Sequence, residues 1–327
     1  MSPKKILVVR LSAMGDVLLT TPIVRALRLG LPHAELHFLV KPAFAEAIAH
    51  NPHLSRVHTL QPRLADTVAA LNAEGFDYVL DLQKSLRSRR IVWALGRPSA
   101  TFSKYNFIKW RMTALKQRLA VPHVVSRYGE ALRPLGLALD AAGLEFPLLG
   151  SPPEALQAFR AQQPGGYLAV ALGATYRTKR WPAEQFVKLL NRLDRPVVLL
   201  GGSGEVADAG FIEQRLFCPC LNLAGQTDLQ GSAHAIAGAH LLLTHDTGLM
   251  HLGAALGVRI ASLWGNTVPE FGMTPYRAEH RVLEVTGLGC RPCTKLGHGQ
   301  CPKGHFKCMR DLSPAYVEAT LTQAGWL

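Results

Sequence analysis

Short apolar runs separated by amphipathic stretches dominate the hydropathy pattern of this chain. "KILVVRL", "ELHFLV", "RVHTL" and "DYVLDL" are rich in Val, Leu and Ile, apolar at successive positions and too brief for helices. They predict strands of a parallel sheet buried on both faces. Between such runs apolar residues recur at helical spacing. "VLLTTPIVRALRLG", residues 17–30, predicts one helix entered through a turn at Gly15 and Asp16. "GSPPEALQAFRAQQPGG", residues 150–166, has the Pro and Gly content of a connection. The alternation then restarts with "YLAVALGA", "PVVLLGG", "CLNLAG", "HLLLTHD" and "RIASLWG". The pattern predicts an α/β chain of two doubly wound domains, 1–155 and 156–327, with ligands at the carboxyl ends of the strands in a cleft between them. After "HRVLEV" comes a Cys-, Gly- and His-rich segment. A closing helix follows, with Ser313 at its N-cap and Pro314 in its first turn.

Composition sharpens this picture in two respects. A chain of 327 residues with 48% hydrophobic content is long and apolar enough for two cores. No apolar run reaches membrane-spanning length, and "SPKK" leads straight into a strand, which predicts a cytoplasmic location. The net charge of +13 is uneven: residues 1–150 hold 20 Lys or Arg against 10 Asp or Glu, and residues 151–327 hold 16 against 13. Lys84 to Arg127 carries eleven basic residues and no acid, interleaved with Trp93, Phe102, Tyr105, Phe107 and Trp110. Three readings of that stretch stand: a nucleic-acid surface, an ordinary solvated face, or a face for anionic lipid headgroups. The first lacks a zinc finger, RNP motif or basic zipper to support it.

Candidate chemistry gathers at strand ends. In "LLLTHDTGLMHLGAALG", Leu241 to Gly257, a strand passes directly into a helix. Unsatisfied N–H groups at Thr247, Gly248 and Leu249 there form an anion site, with His251 one turn in. Asp246 or Thr247 as a plain helix cap is the alternative. "LGATYRTKRWPAEQF", Leu172 to Phe186, presents Thr175, Thr178, Lys179 and Arg180 ahead of Pro182, donors suited to a pyrophosphate. In "VVLLGGSGEVADA" the glycines allow a tight turn, and Glu205 is placed to accept from ribose hydroxyls. Asp16, in "RLSAMGDVLLTTP", is anomalous, because a carboxylate at a strand-to-helix turn repels phosphate.

"RLSAMGDVLLTTP", "DYVLDLQKSLRSR", "GATYRTKRWP" and "HDTGLMHLGAALG", in this order and spacing, resemble the ADP-heptose:lipopolysaccharide heptosyltransferases, inverting glycosyltransferases of the GT-B fold. The resemblance covers essentially the whole chain. It implies two Rossmann-like domains, the first for a Kdo-containing lipid A acceptor and the second for the ADP-sugar. It further implies Asp16 as catalytic base, Lys179 as the phosphate-contacting lysine and Glu205 as the nucleotide-ribose acid. Asp246, Thr247, Gly248 and His251 fall on the motif for diphosphate and sugar, joined by Thr175 and Arg180. Ser12, Met14, Gly15, Lys84, Arg87 and Arg89 fall on the acceptor side. The basic stretch then suits phosphorylated lipid A, and the expected location is peripheral to the inner face of the inner membrane, with no nucleic-acid partner.

A base opposite the leaving group is what inversion requires. Absence of a DxD motif argues for catalysis without metal or other cofactor. "CRPCTKLGHGQCPKGHFKC" contains Cys290, Cys293, Cys301 and Cys308 beside His298 and His305. A structural zinc site, free thiols and redox-active pairs are the open readings of this tail. Rival functions are a GT-B enzyme with another nucleotide sugar or acceptor, a non-catalytic binder of anionic lipid or nucleic acid, and a nicotinamide oxidoreductase. The last lacks GxGxxG after its first strand.

Overall fold

The computed structural model describes residues 3–327. Its eleven strands are all paired in parallel. In the first sheet β1 (Lys5–Val9), β2 (Glu35–Val40), β3 (Arg56–Thr59), β4 (Tyr78–Asp81) and β5 (Ser99–Thr101) take the order β3-β2-β1-β4-β5. The second holds β6 (Leu168–Ala171), β7 (Val197–Leu200), β8 (Cys220–Asn222), β9 (Leu241–His245), β10 (Ile260–Trp264) and β11 (His280–Glu284), in the order β11-β10-β9-β6-β7-β8. Each order reverses beside its first strand, between β1 and β4 and between β6 and β9. Such reversals open a crevice at the carboxyl ends of the two strands, where doubly wound sheets bind ligands.

The chain divides into two compact units. One comprises the described residues up to Tyr105 together with Pro122–Pro147, the other Asn106–Val121 and Leu148–Leu327. The single break expected after residue 155 is thus displaced to between Pro147 and Leu148, and Asn106–Val121 departs from the N-terminal series. Local contacts account for that departure: Val121 N–H donates to the Glu270 carbonyl at 3.0 Å, and Met112 packs on Val268 and Phe271.

Two further expectations are corrected. The helix expected over 17–30 is two helices, Met14–Leu18 and Thr21–Gly30. Pro22 has no N–H to give the Leu18 carbonyl, which instead accepts from the Thr21 hydroxyl at 2.9 Å. The Thr20 hydroxyl takes the Val17 carbonyl at 2.6 Å. Strand β5 lies outside the predicted set because "SAT" is short, lacks an apolar run and sits at a sheet edge after Pro98.

The inner strands of both sheets are buried on both faces, as their runs require, while the edge strands β3, β5, β8 and β11 are partly exposed. Leu7, Val9, Leu39 and Val79 pack with Phe76 and Ile91 in the first unit. In the second, Val170, Leu199, Leu243 and Leu263 join Trp181, Phe186 and the closing helix Pro314–Gln323 through Val317 and Leu321. Each fully buried aliphatic side chain contributes about 1.5–3 kcal/mol. The sheets are therefore firm supports for the loops at their carboxyl ends.

Candidate functional site

In the first unit the loop after β1 carries Asp16 into the helix Met14–Leu18, where Gly15 is buried and Asp16 half-exposed. An Arg10 Nη lies 2.7 Å from Asp16 Oδ2. The other Nη donates to the Leu82 carbonyl at 2.7 Å, beyond the end of β4. Burial opposes the Arg10 charge, but Asp16, with Tyr128 and Asp81 behind it, favours that charge, and the guanidinium is held above its ordinary value. Tyr128, fully buried, points its hydroxyl at Asp16 Oδ1 from 3.5 Å, and burial pushes that hydroxyl up. It therefore keeps its proton at neutral pH. Both groups orient the Asp16 carboxylate.

Among the other candidates here, Ser12 is anchored by its backbone N–H to Gln83 Oε1 at 3.3 Å, and Leu11 N–H reaches the same oxygen at 2.9 Å. Met14 opens the helix. Lys84 turns its ammonium onto the Phe102 carbonyl at 2.7 Å. Arg87 and Arg89 stand exposed on the helix Leu86–Leu95, beside exposed Leu86 and Trp93. A cavity of about 420 Å³ is lined by Lys84, Arg89, Trp93 and Arg97.

In the second unit the switch point between β6 and β9 gathers the phosphate candidates. Lys179 Nζ lies 2.6 Å from Asp246 Oδ2. The Thr267 hydroxyl, from the loop after β10, donates to the same oxygen at 2.9 Å. Asp246 is thus occupied by Lys179 and Thr267. Thr247 is the N-cap of the helix Gly248–Ala255 but makes no side-chain cap bond, and its buried hydroxyl has no partner. The capping alternative fails on this geometry, and the helix start keeps its unclaimed N–H groups. His251 is buried one turn in.

Arg180 bridges to Glu205 Oε1 at 2.8 Å and donates to the Ala174 carbonyl at 2.8 Å. The second Glu205 oxygen accepts from Gly202 N–H at 2.9 Å. Gly201 makes the placement feasible: a Cβ there would sit 2.7 Å from the Glu205 Cβ. Thr175 is exposed on the loop after β6, whereas Thr178 is buried. His245, at the end of β9, accepts from Trp181 N–H at 2.8 Å, and burial lowers its pKa to about 3. It is a neutral brace holding the Lys179 loop to β9.

Sequence reading passed over Arg10, Tyr128, Thr267 and His245. Arg10 and His245 stood beside chosen residues, and a charged or imidazole group ending an apolar strand was their signal. Tyr128 and Thr267 lie 112 and 21 positions from their partners, and no local pattern announces them. Among the described residues, the one group of three His, Cys, Asp or Glu ligand atoms within 4.8 Å is His37, His58 and Glu74. Both Glu74 oxygens there are already paired, with Lys5 at 2.7 Å and Arg56 at 2.6 Å. No described helix is long and apolar enough to cross a membrane.

Comparison with known proteins follows the same lines. A glycosyl transferase family 9 structure from Veillonella parvula superposes with a TM-score of 0.80 at 24% identity, covering 98% of this chain and 96% of the other. The E. coli heptosyltransferase WaaC with ADP gives 0.69 at 22%, covering 98% and 99%. Lipopolysaccharide heptosyltransferase 1 of Pseudomonas aeruginosa is 28% identical over 326 residues, 89% of this chain and 86% of the relative. Lipopolysaccharide heptosyltransferase 2 of E. coli is 25% identical, covering 96% of each. The two doubly wound parallel sheets are the GT-B fold that these structures share. The family model for glycosyltransferase family 9 (heptosyltransferase) matches residues 65–302, and the chain belongs to that family.

Proposed function

We propose that this enzyme transfers heptose from ADP-heptose to the Kdo-containing inner core of lipopolysaccharide, with inversion and with Asp16 as general base. The observation that carries the reading is the Lys179–Asp246–Thr267 cluster beside the open helix start at Gly248, at the switch point of the second sheet. The relatives named lipopolysaccharide heptosyltransferase 1 and 2 support the same substrate class.

In this mechanism the Asp16 carboxylate, oriented by its ion pair with Arg10, accepts the proton of the attacking acceptor hydroxyl. The hydroxyl oxygen forms the new bond at the anomeric carbon as the bond to the ADP β-phosphate oxygen breaks. Negative charge growing on that oxygen is met by Lys179, by Arg180 and by the N–H groups at Gly248 and Leu249. Asp246 holds Lys179 in place and is itself neutralised, so it does not repel the diphosphate. Glu205, Oε2-bonded to Gly202, faces the ribose hydroxyls. Base and leaving-group stabilisers come from separate units, which removes the conflict of a carboxylate in a phosphate loop. Arg87, Arg89 and the acid-free basic stretch serve the phosphorylated acceptor at the inner face of the inner membrane, where the enzyme is peripheral.

The deciding experiment is release of ADP by purified enzyme given ADP-heptose and Kdo-lipid A, with anomeric configuration of the product read by NMR. Turnover confined to a different nucleotide sugar, or a product of retained configuration, would overturn the proposal.

A further inference from the structure

Part of the acid-free basic stretch, residues 106–121, folds with the second unit rather than with the acceptor-side candidates. There it forms the helix Asn106–Ala114. Ile108 and Met112, four positions apart, face inward onto Val268 and Phe271. The opposite stripe is Phe107, Trp110 and Ala114, at i, i+3 and i+7, and all three are exposed. An outward stripe of a surface helix is ordinarily polar, whereas here Phe107 is 69% and Trp110 50% exposed. Their rings stack on one another with centroids 6.0 Å apart. Leu115, whose N–H closes the last turn on the Arg111 carbonyl at 2.9 Å, is 54% exposed. At helical spacing Lys109 and Arg111 flank the stripe, one on each side.

The tail that the mechanism leaves unused adds to this surface. From Thr286 to Phe306 it is an irregular strap without helix or strand. Lys295 Nζ donates to the Asn106 carbonyl at 3.4 Å, where the helix starts, and Lys116 Nζ donates to the Pro292 carbonyl at 2.8 Å, beyond its end. The strap is thus tied to both ends of the helix, and Leu296, 62% exposed, follows directly on Lys295. Two residues further, His298 N–H donates to the Thr178 hydroxyl at 2.8 Å. That bond fixes the strap to the loop carrying Lys179.

Charge follows the same outline. Residues 106–121 hold four Lys or Arg and residues 285–310 hold five, with no Asp or Glu in either segment. Residues 151–327 carry a surplus of only three in all, so outside the strap they are net acidic. Glu270 and Glu284 face Arg118 at 3.5 and 4.0 Å, and Glu284 is also paired with Arg291 at 2.7 Å, which offsets two of the nine cations. Exposed aromatic rings and leucines rimmed by cations match the interface of an anionic bilayer: the rings enter the boundary between headgroups and acyl chains, and Lys and Arg meet lipid phosphates. A nucleic-acid strand would use the cations and the rings but leave Leu115 and Leu296 in water.

We propose that this face of the second unit docks on an anionic lipid surface, with Phe107 and Trp110 inserted. The docking stands on the surface itself; that it brings the enzyme to an embedded acceptor rests on the proposed function.

Co-sedimentation of the full chain with vesicles tests it, using phosphatidylcholine alone and phosphatidylcholine with about one third phosphatidylglycerol. The chain should bind the anionic vesicles and not the neutral ones, and the double variant Phe107→Ser/Trp110→Ser should bind them about tenfold more weakly. Calorimetry should give that variant the ADP affinity of wild type. In a Trp93→Phe background Trp110 is the exposed tryptophan, since Trp181, Trp264 and Trp326 are buried, and brominated phosphatidylglycerol should quench its fluorescence. Absence of binding to anionic vesicles, equal binding to neutral ones, undiminished binding by the double variant, or an unquenched Trp110 would each overturn the proposal. So would a wild-type dimer that the double variant dissociates, which gives the face to a second copy, or an oligonucleotide bound in preference to the vesicles. Failure of ADP to bind wild type instead sinks the donor reading and leaves the docking surface supported by the vesicle result.

Discussion

A carboxylate acts as a base at a protected turn only if its charge is supported and its proton acceptor is free. Arg10 supports the charge of Asp16 from 2.7 Å while Leu82 fixes the guanidinium. Tyr128 leans on one oxygen at a long 3.5 Å and leaves room for a stronger donor. Asp16→Asn keeps this shape and, on the proposed mechanism, removes the base: turnover should fall by about 10²–10⁴-fold while ADP affinity, measured by calorimetry, is unchanged. A variant with wild-type turnover would remove Asp16 from the mechanism. Lys179 has a different signature. Lys179→Ala should weaken ADP binding as well as slow turnover, because it strips a charge from the proposed diphosphate site and leaves Asp246 without its cation. That split between the two variants is legible in steady-state kinetics on the same substrates.

Backbone geometry decides the element scale. Strand β7 runs into a turn at Gly201 and Gly202 that folds Glu205 back toward the strand end. Gly201→Ala would force its Cβ to 2.7 Å from the Glu205 Cβ. The turn must shift, and ADP affinity should drop by at least about fivefold, since a misplaced buried hydrogen bond costs about 1–3 kcal/mol. Gly210 provides the contrast. It lies inside the helix Val206–Glu213 with open space around its would-be Cβ. Gly210→Ala should therefore stabilise the protein by about 0.5–1 kcal/mol in urea titration without touching ADP binding. The two-helix break after Leu18 belongs to this scale as well. Pro22 was visible in the sequence, but the hydroxyl of Thr21 standing in for the missing N–H was not.

At the level of the whole molecule, each unit buries histidines that must stay neutral. Burial lowers the pKa of His245 to about 3 in the second unit, that of His58 to about 4 in the first, and that of its partner His37 as well. Their folded-state values lie below the unfolded value of about 6.5. Above that pH both states are neutral and the groups add no pH dependence. Below it the unfolded chain takes up protons that the folded chain refuses. Stability should therefore decline from about pH 6.5, by up to about 1.4 kcal/mol per pH unit for each such histidine, ending near pH 4 for His58 and near pH 3 for His245. Thermal unfolding between pH 7 and pH 4.5 measures the decline. His58→Gln should flatten it, and a profile as steep as wild type would contradict the assignment.

Apolar runs and their spacing determined nine of the eleven strands, because a strand buried on both faces has to be apolar at successive positions wherever it sits. They also determined that Lys179, Glu205, Asp246 and Gly248 follow strands directly, and the motifs in sequence carried the family. Sheet order was beyond them, since parallel strands of similar composition differ only in which neighbour they accept. Tertiary structure placed β6 beside β9, which brought Lys179 to Asp246 across 67 positions. It placed Tyr128 behind Asp16, gave Asn106–Val121 to the second unit, and laid the cysteine strap on Thr178. Those contacts join residues remote in sequence through single hydrogen bonds or charges, and such a pairing leaves no periodicity for the chain itself to display.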